Sequence, residues 1–81
     1  MDHDKEYVIR LSGPDLGQVI DGLEVRATAW RHTATYLETG EAPDGVVIEV
    51  CEDAEEARRL TERYELILGK LIQQQREQRE R

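Results

Sequence analysis

Apolar side chains recur between residues 16 and 37 at spacings of four and three: Leu16, Ile20, Leu23, Ala27, Trp30, Ala34 and Leu37. At about 3.6 residues per turn these positions fall on one side of a helix, so the pattern predicts a long amphipathic helix. A second stripe, Ala57, Leu60, Tyr64, Ile67 and Leu71, repeats at three and four, and Leu68 with Ile72 widens it. The two faces are of similar length and are expected to cover one another. The added width of the second implies two neighbours rather than one.

The ends of both helices carry their own signals. Ser12-Gly13-Pro14-Asp15 sets a hydroxyl before the helix, a proline in its first turn and an acid three residues after the serine, in the manner of a capping box. Gly40 can take the left-handed conformation that ends helices, so the first helix is expected at about 14–39. Asp53-Ala54-Glu55-Glu56 supplies a capping acid and negative charge across a first turn, where the helix dipole favours it. The second helix is therefore expected at about 53–75, supported by Glu55 and Glu77, each four residues before an arginine. Beyond Ile72 the run QQQREQRER has no apolar face, and residues 76–81 are expected to fray, as are residues 1–5. Gly17 and Gly22 each cost roughly 1 kcal/mol relative to alanine inside a helix, for which close approach by a neighbouring backbone is the expected reason.

Two short segments change period. Tyr7, Ile9 and Leu11 alternate with Val8 and Arg10, while Val46, Ile48 and Val50 alternate with Val47 and Glu49. This period of two predicts strands at about 6–11 and 46–50, the second preceded by a turn at Glu41-Ala42-Pro43-Asp44-Gly45. The expected class is α+β, mainly α. Joining the helices antiparallel sends the strands to opposite ends of one protomer, where they would pair only with another copy. The expected architecture is thus a helical hairpin, dimerised into a four-helix bundle with short strands at its edges. The alternative is a β-α-β-α chain with a two-stranded parallel sheet, which is poorly stabilised on its own.

Length supports a partner. The 81 residues form one expected domain, 1–81. A domain this small buries only about 60–65% of its unfolded surface and needs a disulfide, a metal or another subunit. Cys51 is the single cysteine and excludes an internal disulfide, while His3, His32 and Cys51 show no metal-ligand spacing. A homodimer is the expectation that remains. The charged start MDHDKE and the lack of an apolar run approaching membrane length predict neither a secretory signal nor a membrane span, and hence a cytoplasmic location.

The net charge of −7 is unevenly distributed: residues 1–56 hold 14 acids against 4 bases, and residues 57–81 hold 4 against 7. The acidic body argues against nucleic acid as a partner, because phosphates would be repelled. The basic end is too interleaved, with Glu77 and Glu80 among Arg76, Arg79 and Arg81, to reverse this.

Candidate chemistry is sparse. Asp2, His3 and Asp4 could hold a cation weakly. Asp21 and Glu24 share a helical face and, with His32, make a metal-binding bundle the third reading, although the Glu-x-x-His pair of carboxylate bundles is missing. His32 has no acid four residues before it and is expected in solvent. Gly13 and Gly17 before a helix invite a phosphate-loop reading, but neither a G-x-G-x-x-G nor a lysine-bearing loop occurs, and Asp15 would repel the anion. The acids after Cys51 would raise its pKa, which argues against a catalytic thiolate. Trp30 reads as core or subunit interface.

The runs Asp21-Gly22-Leu23, Trp30-Arg31-His32-Thr33-Ala34-Thr35-Tyr36-Leu37-Glu38-Thr39-Gly40 and Cys51-Glu52-Asp53-Ala54-Glu55-Glu56-Ala57 resemble those of a family of small uncharacterised bacterial proteins, over residues 15–72. That resemblance implies no activity for these positions. The residues themselves point first to a non-enzymatic protein-interaction module acting as a homodimer, without a cofactor and with a further protein partner open to it. The second reading is an acidic, antitoxin-like inhibitor that masks a basic surface of its target.

Overall fold

The computed structural model describes residues 5–79. Two helices account for most of them, α1 (Gly13–Thr39) and α2 (Ala54–Arg79). Ser12 caps α1 by accepting the Asp15 N–H at 3.2 Å, and the left-handed Gly40 closes it, its N–H donating to the Tyr36 carbonyl at 2.7 Å. At the start of α2, Asp53 accepts the Glu56 N–H at 2.8 Å, and the Glu56 carboxylate accepts the Glu52 N–H at 2.8 Å. The amides that a helix start leaves unpaired are thereby partly satisfied from both directions.

The helices run antiparallel. Glu38 pairs with Arg58 and Arg31 with Glu65, so a seven-residue step back along α1 matches a seven-residue step forward along α2. Seven residues are about two turns, which returns each side chain to the same edge of the seam. All four side chains keep roughly half of their surface in solvent, so these ion pairs contribute register more than stability.

Between the helices lie Ile20, Ala27, Trp30, Ala34 and Ala57, the buried apolar residues, together with Thr61. Trp30, Ala34 and Ala57 form the centre, with Cys51, Leu60 and Tyr64 packed against them. Small side chains at Ala27, Ala34 and Ala57 let the helices approach, and Trp30 supplies most of the volume between them. Along α2 the inward line runs through Ala57, Thr61, Tyr64, Leu68 and Leu71, again at four and three, with Ile72 beside it half-buried. Leu16 and Leu23 on α1 are half-buried, whereas Leu37 and Ile67 lie at the exposed edges of their stripes.

Residues 6–11 and 46–50 are extended, but neither forms a strand, and the described residues contain no sheet. The α+β expectation, its strand-edged bundle and the parallel-sheet alternative are therefore corrected to an all-helical hairpin with two extended flanking segments. The reason is the neighbour each segment meets. Gly45, Val46 and Val47 lie beside Val25, Ala29 and His32 of α1, and Tyr7 to Leu11 lie beside Leu16 and Val19 of α1 and Leu71 of α2. A helix has already bonded its backbone groups internally and offers no ladder to an extended neighbour. Alternation in 46–50 does not mark a buried face either: Val50 is 99% exposed, and Glu49 is the half-buried one.

α2 continues as helix through Arg79. The possible cation group at Asp2, His3 and Asp4, and the Arg81 partner of Glu77, lie outside the described residues. Among the described residues no helix is long and apolar enough to cross a membrane. Gly17 and Gly22 face open space rather than a neighbouring backbone, so close approach does not explain them. Gly22→Ala is accordingly expected to stabilise the protein by about 0.5–1 kcal/mol through helix propensity alone, read as a higher urea midpoint.

Candidate functional site

The connector between the helices, residues 40–53, is longer than a helical hairpin requires, and its path decides what surface the protein presents. It leaves α1 at Gly40, turns at Asp44 and Gly45, where Gly45 takes φ 80°, and returns along α1 to reach Asp53. Thr33 holds it there. The Thr33 hydroxyl donates to the Ala29 carbonyl at 2.8 Å, as threonines in helices often do, and accepts the Glu49 N–H at 2.8 Å. Thr33 is 0% exposed. The Glu49 carboxylate also accepts from Arg26 at 2.8 Å, and the Arg26 guanidinium lies 5.6 Å from the centre of the Trp30 ring. Connector, helix and core are thus linked through four adjoining side chains.

This linkage is structural chemistry. The Thr33 hydroxyl has both its donor and one acceptor role filled and has no basic side chain hydrogen-bonded to it, so nothing activates it as a nucleophile. Cys51 is unpaired and half-buried. Loss of hydration pushes its pKa up, and the negative charges of Glu56 and then Asp53 push it further the same way, against a smaller opposing effect of hydrogen bonding with the Asp53 backbone. Its thiol therefore stays protonated at neutral pH, the form least suited to nucleophilic attack.

Among the described residues, clefts open on two sides of the hairpin. The smaller, 360 Å³, lies between the back of α1 and the returning connector; Val25, Ala29, Val46 and Val47 supply apolar walls, and Glu24 and His32 also line it. Glu24 and His32 are eight residues apart, about 12 Å along the helix axis, and Asp21 does not line the cleft. The residues of the metal reading are thus not gathered at one point. Among the described residues no group of three histidine, cysteine or carboxylate side chains is placed to hold a metal ion.

The larger cleft, 660 Å³, lies at the open end of the hairpin, opposite the connector. One wall is the extended segment Tyr7 to Leu11, and the others are Leu16 and Val19 of α1 and Leu71 with three glutamines of α2. Val8 is 90% and Ile9 76% exposed, so much of the apolar surface of this wall stays in solvent. Among the described residues, Arg10 is the only charged one lining the cleft.

The stripe residues Ile20, Ala27, Trp30 and Ala34 are buried together with Ala57, while Leu60, Tyr64, Leu68, Leu71 and Ile72 close around them half-buried. Thr33, Thr61 and the Arg26–Glu49 pair escaped the reading of apolar spacing because none is apolar. A signal for the first was present: Ala29 and Thr33 carry no charge and widen the neutral side of α1 beyond what a single helix can cover. Compared with known proteins, the chain matches no family model, no curated protein and no solved structure.

Proposed function

We propose that this protein is a non-enzymatic protein-interaction module that acts as a homodimer. The observation that carries this reading is the apolar surface around the open-end cleft, where Tyr7, Val8, Ile9, Leu11 and Val19 all remain exposed. With five buried apolar residues among the described residues, a monomer gains little from its own core. Covering the open end with another subunit adds the burial that the single chain lacks. Chemistry of its own finds no support: neither the Thr33 hydroxyl nor the Cys51 thiol is activated, and the carboxylates Asp21 and Glu24 do not converge with His32. A single cysteine, which can form no disulfide within the chain, is compatible with the cytoplasm, where we place the protein.

Light scattering after size exclusion tests this reading. A mass of twice the chain at micromolar concentration is the expected result. A monomeric mass together with a sharp, cooperative thermal transition would refute it, because the chain would then be stable without a partner.

A further inference from the structure

Resting on the homodimer reading, we propose where the two copies meet: at the open-end cleft, about a twofold axis passing near Val8, with Glu6 of each copy against Arg10 of the other. Three properties of this surface favour a second copy over any other occupant.

The first is the form of the apolar wall. Residues 7–11 stand against the helix ends as an extended segment, with Tyr7, Val8 and Ile9 mostly solvated. Among the described residues, nothing covers these three side chains. A second copy turned by half a revolution lays an identical segment beside it, running in the opposite direction, and removes apolar surface from water on both at once.

The second is charge. An interface across a twofold axis uses the same patch on both subunits, so each group must find its complement within that patch. Arg10 lies two residues beyond Val8 and Glu6 two residues before it. Among the described residues neither makes an ion pair within the chain. Rotation about Val8 exchanges the two positions, so each Glu6 meets the partner's Arg10 and the contact occurs twice. An apolar small molecule in the cleft would leave both charges unanswered, and an acidic peptide would answer Arg10 while opposing Glu6.

The third is the polar rim. Gln74, Gln75 and Gln78 line the cleft from α2. Each amide both donates and accepts hydrogen bonds, so glutamines facing glutamines across the axis can satisfy one another in a way that charged side chains of one sign could not.

Charge reversal tests the placement. Arg10→Glu sets acid against acid twice across the axis, and Glu6→Arg sets base against base. Each variant alone is expected to weaken the dimer at least about tenfold and to run as a monomer at concentrations where the unaltered chain is dimeric. Both positions are solvated, so unchanged helical circular dichroism separates loss of assembly from loss of folding. Mixing the two variants in equal amounts places two bases on one chain opposite two acids on the other, and a heterodimer is the expected product. The chain carrying both reversals should dimerise like the original. If the original chain is dimeric and neither variant alters its mass, the homodimer reading stands and this placement falls. If the variants are monomeric and their mixture is too, the Glu6–Arg10 contact is wrong. A monomeric original chain overturns both.

Discussion

Replacing Trp30 by alanine is expected to cost about 3–5 kcal/mol, the usual loss on removing a large buried ring. Trp30 is 6% exposed and fills the space that Ala34 and Ala57 leave open between the helices. Among the described residues no other buried side chain approaches its volume, so little is at hand to fill the gap. Cys51, Leu60 and Tyr64 pack against the cluster of which Trp30 is the largest member and would lose support in the same step, and Arg26 would lose the ring face beside it. Small domains often hold only about 5 kcal/mol in total, so a largely unfolded chain at 25 °C is the expected outcome, read as a collapsed urea transition. Trp30→Phe should cost far less. Among the described residues the buried indole Nε1–H has no hydrogen-bond partner, and phenylalanine removes that donor along with part of the ring. A loss below about 1 kcal/mol for the alanine variant would show that the core lies elsewhere.

Thr33→Val is the second substitution expected to act strongly, at about 1–3 kcal/mol. Valine has nearly the shape of threonine, so the effect isolates the hydroxyl. Its removal leaves the Glu49 N–H, now held at 2.8 Å, without an acceptor beneath the connector. Thr33→Ser keeps the hydroxyl and should lose less, through the missing methyl alone. Equal losses for valine and serine in urea melts would mean that packing, and not the hydrogen bond to the connector, is what Thr33 contributes. The effects of Thr33 and Trp30 substitutions should not add, because Arg26 and Glu49 connect the two sites.

The helices were legible because their signals are local. Ser12, Gly40 and Asp53 announce their caps within four residues, and the stripe from Ile20 to Ala34 repeats often enough to define a face. The extended segments misled because a period of two reports only that a chain is extended with unlike sides. Whether it becomes a strand depends on finding another extended chain to bond with, and Val46 to Val50 finds a helix. Polar residues with packing roles were illegible for a related reason. Thr61 turns its hydroxyl back to the Ala57 carbonyl at 2.9 Å and then packs as an apolar side chain, which its formal polarity conceals. The open-end cleft could not be read from spacing, since it joins Tyr7 to Leu71 across nearly the whole length of the chain.

The out-and-back connector also bears on the order in which the chain assembles. Closing a loop of 14 residues instead of about four adds only about 1 kcal/mol of entropy, so the detour places little burden on the equilibrium. Its docking surface, however, does not exist until α1 has formed, because Thr33 and Arg26 line up only once the helix winds them onto one side. The connector therefore settles after the helices, and contacts made late in folding govern how fast the native state comes apart rather than how fast it forms. Weakening the hold of Glu49 on α1 would shorten the lifetime of the folded protein while leaving its refolding rate almost untouched.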